Sequence, residues 1–370
     1  MQKLAIIGAS YLQLPLVKKA KELGLHTICF AWADGAVCKD EADEFYPISI
    51  VEKEQILSIC REKQIDGICT IASDVAAPTV AYIAEKMGLI GNSYEVASRA
   101  NNKYLMRQAF SVAGIPCPAY RKITSFEQLN IEAFRLPLIV KPTDRSGSLG
   151  ITKVEKIEDL HNAVETALHC SFKHETIIEE YVEGREISVE FISYQGKHYP
   201  LQITDKVTTG SPHFVELEHH QPADLSEEQY AQIYDLTKRA LDALGVTNGA
   251  SHSEYKITAD GRVYVMEVGA RMGGDFIGSD LVQLSTGYDY MKGVIDVALG
   301  NFEEPVFGEH HFAGIYFLCE EAKHLQTIIK EAKMPQGVRA EITDEVLRPV
   351  TCSADRSGYL IYQGDKRLVL

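Results

Sequence analysis

The stretch IVKPTDRSGSLGITKV, residues 139–154, ends an apolar run on Lys141 and follows it with Ser146, Gly147, Ser148 and Gly150. A lysine ammonium at the end of a buried strand is costly without a partner, so Lys141 needs an anion. Small residues in series leave backbone N–H groups free and permit close approach, which suits a loop that wraps phosphate. No G-x-x-x-x-G-K-[ST] string occurs. After Gly150 the chain alternates as Ile-Thr-Lys-Val, which puts the loop at the tip of a hairpin and not at a helix N-terminus. Taken alone, the loop reads first as a flexible surface hairpin with a lysine at its base.

A second constellation is SHSEYKITADGRVYVMEVGARMGGD, residues 251–275. A two-residue turn at Asp260-Gly261 sets Ala259 against Arg262, and counting back places Glu254 opposite Glu267. Cβ atoms of such a pair are roughly 5 Å apart, and facing like charges destabilise a hairpin, so the pair invites a cation. Mg²⁺ fits, because it takes hard oxygen ligands and commonly uses one or two carboxylates with phosphate and water. A longer turn would shift the register and leave the two acids diagonal and solvated. Arg271, four residues beyond Glu267, is suited to hold a transferring phosphoryl group.

The elements that must position these groups follow from periodicity. Residues 1–92 alternate strand and helix (LAIIG, LPLVKKAKELG, HTICFAW, EKEQILSICREKQ, GICTIA, AAPTVAYIAEKMG), the pattern of half a doubly wound parallel sheet. The first turn keeps Gly8 but lacks the later glycines of the dinucleotide fingerprint, which disfavours an NAD or FAD site. A new unit begins near NKYLMRQAFSVAG, a helix with Asn102 as N-cap and Gly114 beyond its end. The order then runs strand, glycine loop, strand, helix, strand, strand. Residues 196–222 read as a polar, histidine-bearing stretch, followed by a helix and the acidic hairpin. The expected fold class is therefore α/β and α+β.

With 45% hydrophobic and 24% charged residues the chain is ordinary globular material, and no run approaches the roughly 20 apolar residues of a membrane span. The start, MQKLAIIGAS, lacks a signal-peptide core, and the eight cysteines contain no C-x-x-C pair, so a cytoplasmic protein with reduced thiols is expected. A net charge of −15 without a basic stripe argues against nucleic acid.

In combination these residues resemble the ATP-grasp ligases. Lys103 in NNKYLMRQAF and Lys141 in IVKP look like two phosphate-contacting lysines of that family, with Ser146, Gly147 and Ser148 in the mobile loop over them. IIEEYVEGREISVE resembles the adenine hinge: Glu179 toward the exocyclic amine, Glu180, Tyr181 and Val182 along the ring, Glu186 for the ribose hydroxyls. Glu254 and Glu267 match the metal-binding acids, and Arg271 the arginine of E-x-N-x-R. Gly269 stands where many members carry asparagine. ITDKVTTGSPHFVELEHHQPADLS and EVGARMGGDFIGSDLVQLSTGYD look most like L-amino acid ligases and carbamoyl-phosphate-synthetase-like relatives. That likeness sets Glu216 near an acceptor amine and His219 near a developing oxyanion, with His213 and His220 as alternatives.

The resemblance implies an ATP-dependent carboxylate–amine ligase using ATP and Mg²⁺, with Mn²⁺ as a substitute, and forming an acyl phosphate of an amino acid. It implies a pre-ATP-grasp domain at 1–93 with a half-Rossmann fold, an ATP-grasp domain at 94–305 of two α+β subdomains (lid about 115–183), and a strand-rich capping unit at 306–370. Partners would be a small-molecule carboxylate and amine, without nucleic acid or membrane; a homodimer is left open. Other acceptors, such as an amino sugar, bicarbonate or carbamoyl-phosphate chemistry, and a non-catalytic nucleotide-binding module remain the competing readings.

Overall fold

The computed structural model describes residues 1–129, 134–145, 147, 149–211, 213–331 and 336–370. Strands β1 (Lys3–Ile7), β2 (His26–Phe30), β3 (Glu44–Tyr46) and β4 (Gly67–Cys69) form a parallel sheet ordered β3-β2-β1-β4. Helix α1 (Leu14–Glu22) connects β1 to β2, α2 (Lys53–Lys63) connects β3 to β4, and α3 (Ala77–Met87) follows β4. Both faces of β1 are buried, as its unbroken apolar run requires of a parallel strand.

Helix α4 (Tyr94–Ala100) leads into α5 (Lys103–Val112), where the Asn102 side chain caps the first turn by accepting from Leu105 N at 3.0 Å. Lys103 is thereby fixed as the first residue of a helix. A second sheet follows, built from β5 (Tyr120–Ile123), β6 (Leu138–Pro142), β7 (Thr152–Val154) and β8 (Thr176–Glu180) in the antiparallel order β5-β8-β6-β7. Helix α6 (Leu160–Cys170) buries Leu160, Val164 and Leu168 against Leu138, Val140 and Ile178 of that sheet.

The remaining strands are β9 (Arg185–Tyr194), β10 (Lys197–Thr208), β11 (Glu216–Gln221), β12 (Gly249–Ile257), β13 (Val263–Gly269), β14 (Phe312–Leu318), β15 (Gly337–Ile342) and β16 (Gly358–Gly364). They make one antiparallel sheet in the order β13-β12-β9-β10-β11-β14-β16-β15. Helix α7 (Glu227–Leu244), opened by a Ser226/Gln229 capping box, packs with α5 on one face. Helices α8 (Val282–Thr286) and α9 (Tyr290–Leu299) follow the acidic hairpin, and α9 shares a core with β1, α1 and Ile192 and Leu201 of the large sheet. The tail carries α10 (His324–Lys330), and its three strands complete the outer half of the same sheet.

Two local readings are corrected. Residues 197–208 and 216–221 are central strands, β10 and β11; their polar residues Gln202, Thr204, Asp205, His219 and His220 are buried within the sheet, which hides the usual alternation. The acidic hairpin does not turn on two residues. Thr258 N donates to Arg262 O (2.9 Å) and Gly261 N to Thr258 O (2.8 Å), enclosing a three-residue turn with Gly261 at φ 82°. That loop alone would set Glu254 against Met266. A bulge between Glu254 and Tyr255 adds the missing residue, and Glu254 pairs with Glu267 after all.

Candidate functional site

Two adjoining cavities, of about 340 and about 370 Å³, open over the large sheet. Both are lined by Glu254, Glu267, Lys206, Phe214 and Gly147. The first lies between β6 and β8 on one side and β12 on the other, with Lys141, Tyr181, Val182 and Glu186 in its wall. The second reaches the N-terminal sheet and is walled by Asp74, Glu216, His219, Arg271 and Asp275. Ser146 and Ser148 lie outside the described residues.

At the inner end of the first chamber, Lys141 Nζ is 2.8 Å from Glu179 Oε2 and Arg107 Nε is 2.7 Å from Glu179 Oε1, with all three side chains buried. The anion that Lys141 requires is thus built into the fold. Burial opposes ionisation of Glu179, but Arg107 and Lys141 bring its carboxyl down to about 2. Burial likewise pulls the Lys141 ammonium below the ordinary lysine range, against the attraction of Glu179. Two cations around one carboxylate leave one net positive charge beside the chamber. Toward the mouth, Lys153 and Lys256 place their ammonium groups 4.5 and 4.7 Å from the Tyr181 ring centroid, and Lys256 pairs with Glu186 at 3.2 Å. The Glu180 side chain accepts from Arg135 N at 3.3 Å.

At the junction each acid engages a lysine. Lys103 Nζ donates to Glu267 Oε1 (3.0 Å) and to Arg145 O (2.7 Å) at the base of the glycine loop. Lys206 Nζ donates to Glu254 Oε1 (2.6 Å) and lies 3.5 Å from Glu216 Oε1. Lys206 holds the Glu254 carboxyl well below its ordinary range, against burial. Behind Glu254, His252 contacts Glu190 through Nδ1 and Glu254 through Nε2 at 3.4 Å, while Glu190 Oε2 accepts from Gly273 N at 3.0 Å. Burial disfavours the imidazolium, yet Glu190 and Glu254 raise His252 to about 8. Among the described residues no three His, Cys, Asp or Glu side chains form a metal cage. The Oε2 atoms of Glu254 and Glu267 accept no hydrogen bond among those residues, so the pair suits a cation that completes its shell with phosphate and water.

In the second chamber Arg271 is gripped by Asp74, Nε to Oδ1 at 2.8 Å and Nη2 to Oδ2 at 2.7 Å. Burial opposes ionisation of Asp74, and Arg271 outweighs it, so the carboxyl stays below its usual range. His219 is buried against Phe317 with neither ring nitrogen hydrogen-bonded, and burial pushes its pKa well down, so it is a neutral imidazole on the chamber wall. His220 instead bonds Glu218 and Tyr362, each at 2.8 Å, and His213 is exposed at the edge of the first chamber. The structure therefore brings Lys103, Glu216, His219, Glu254, Glu267 and Arg271 around one cleft and keeps His220 out of it. Asp74, Arg107, Glu190, Lys206 and His252 escaped sequence reasoning. Only Asp74 carried a usable signal, since it follows β4 at the carboxyl end of a parallel strand, where open α/β sheets place ligands.

Residues 134–280 match the family model described as the ATP-grasp domain. The chain is 31% identical over 245 residues to alanine–anticapsin ligase of Bacillus subtilis strain 168, covering 60% of this chain and 51% of that protein. It is 29% identical over 189 residues to D-alanine–D-alanine ligase of Trichlorobacter lovleyi, covering 48% and 58%. The chain spans about half the length of the first of these curated relatives. The crystal structure of L-amino acid ligase from Bacillus licheniformis superposes with a TM-score of 0.83 at 25% identity, over 99% of this chain and 94% of that one. Among the described residues no helix is long and apolar enough to cross a membrane. By its match to the family model the chain carries an ATP-grasp domain at residues 134–280.

Proposed function

We propose that this protein is an ATP-dependent ligase that joins a carboxylate to an amine through an acyl phosphate, with amino acids as substrates, in the manner of dipeptide formation. One observation carries the reading. Two opposed carboxylates, each bonded to a lysine, stand where a chamber lined by hinge residues meets a second, polar chamber.

In this reading the first chamber takes ATP. Tyr181 and Val182 border the base and Glu186 the ribose, while Glu179, committed to two cations, holds Lys141 in place instead of reading the base. Lys103 and Lys141 neutralise phosphoryl oxygens. Glu254 and Glu267 would hold Mg²⁺, or Mn²⁺, which when bound supplies charge neutralisation to the transferring phosphoryl group. The carboxylate substrate enters the second chamber, where Arg271 faces the transferring group and the tetrahedral oxyanion. Glu216 receives the ammonium of the acceptor. Neutral His219, with both nitrogens free of protein partners, donates to the oxyanion. The glycine loop, tied at its base to Lys103 through the Arg145 carbonyl, keeps water from the acyl phosphate.

The two ligase relatives, one named for joining alanine to anticapsin and the other for joining D-alanine to D-alanine, support this choice of substrate class. A screen of amino acid pairs for ATP-dependent phosphate release tests it. Release that needs both a carboxylate and an amine is the expected result; nucleotide binding with no turnover on any pair would leave only a binding module.

A further inference from the structure

Gly269 ends β13 two residues after Glu267 and two before Arg271. Its backbone lies outside the left-handed region, so no conformational demand requires glycine there. The demand comes from above. A Cβ at this position would stand 2.8 Å from Asp74 Oδ1, 3.2 Å from Arg271 Nε and 3.3 Å from Arg271 Cζ. The space over the strand is filled by the Asp74–Arg271 ion pair, where the pattern E-x-N-x-R would have an asparagine side chain.

Asp74 reaches this space because its loop is pinned to the arginine segment. Ile71 forms an isolated parallel bridge with Met272, Ala72 N donates to Met272 O at 3.1 Å, and Gln13 Nε2 holds Ile71 O at 2.7 Å. Ala72 adopts φ 56°, an uncommon conformation for a side chain that bears a Cβ, and it is the residue that turns the loop toward the chamber. Two donors on one edge of the guanidinium are consumed by Asp74, and Nη1 is 3.3 Å from Met272 O, so the plane and reach of Arg271 are fixed.

We propose that Asp74, supplied by the N-terminal sheet, is a positioning residue of the ligation site: it enters the volume that Gly269 leaves open and locks the Arg271 guanidinium in the orientation the transferring group requires. The consequence for ligation rests on the function proposed above; the locking of Arg271 by Asp74 does not.

A double-mutant cycle on the full chain tests both parts. Asp74→Ala and Asp74→Asn are expected to lower kcat for ligation by about 10–100-fold, the usual effect of losing an orienting partner, with nucleotide affinity held. Gly269→Ala, which evicts Asp74, should lower kcat to the same extent in the native background and have no further effect when Asp74 is already alanine. The Arg271 Nε–H resonance should lose its hydrogen-bonded shift in Asp74→Ala and in Gly269→Ala alike, a readout that needs no turnover. Equal losses of kcat and nucleotide affinity in Asp74→Asn would overturn the proposal in favour of a merely structural contact. So would additive effects of the two substitutions, or an Arg271 resonance indifferent to both. Absence of turnover in the native chain, with the resonance behaving as expected, would instead sink the ligase reading and leave the locking intact.

Discussion

Glu254 faces Glu267 across β12 and β13, one step before the register slips between Glu254 and Tyr255. The facing pair exists because an extra residue in β13 offsets the odd length of the turn, so the bulge is part of the site and not a flaw in the hairpin. Two acids held opposite each other repel unless cations stand between or beside them, and here Lys103 and Lys206 take one oxygen of each. Glu267→Gln removes a hard anionic ligand while keeping the shape. Amine-dependent ADP release should fall by more than about 100-fold, and Mn²⁺ titrated with nucleotide should bind more weakly. Wild-type activity in that variant would contradict the metal role given to the pair.

The buried triad of Arg107, Glu179 and Lys141 makes a stability prediction. Its removal of charge in Glu179→Gln leaves two buried cations without their counter-ion, which costs on the order of 3–5 kcal/mol and should appear as a large drop in Tm. The pH dependence has a definite sign. Glu179 has a folded pKa of about 2 against 4.5 for an ordinary glutamate, so its contribution is fully present above about 4.5 and is lost as pH falls toward about 2. Acid unfolding of the native chain should steepen in that window, and the Gln variant should show a shallower dependence there. Identical acid profiles would mean that Glu179 is not ionised against the two cations.

Arg271 and nucleotide affinity should separate. The guanidinium lies in the second chamber with Asp74, away from Tyr181, Val182 and Glu186 of the first. Arg271→Lys keeps the charge but loses the two-pronged grip, so kcat for ligation should fall by about 10²–10³-fold while the Kd for ATP stays put. Equal losses in both would mark the arginine as a structural post between the N-terminal sheet and β13.

Lys103, Lys141, Glu254, Glu267 and Arg271 were legible because each sits in a short string whose spacing fixes its neighbours: a capped helix start, a strand end, a hairpin. The α/β beginning was legible for the same reason, through its unbroken apolar runs. Lys206, Glu190 and Asp74 were not, because their roles depend on which distant strands become neighbours. Asp74 and Arg271 are 197 residues apart in sequence. Lys206 joins Glu254 only because β9 lies between β10 and β12, a sheet order that no local pattern encodes. Polar β10 and β11 elude local pattern on similar grounds: the side chains of a buried polar strand face neighbours from distant strands, and its composition in one dimension is unremarkable.

The tail enters the site through the turn Thr351–Ser353, which walls the second chamber and, through Thr351 and Cys352, the first. Asp355 Oδ2 accepts from Thr351 N (2.8 Å) and Cys352 N (3.0 Å), fixing the turn in place, and Arg356 ties the segment to Asp275 at 3.0 Å. Of the eight cysteines Cys352 alone is exposed, so a maleimide should label it selectively. The added bulk would project over the shared mouth of both chambers and is expected to weaken nucleotide binding, while saturating ATP should slow the labelling itself. Cys352→Ser, which changes little in size, should remain active and resist the reagent. Unhindered nucleotide binding by the labelled chain would show that this turn stands clear of the entrance.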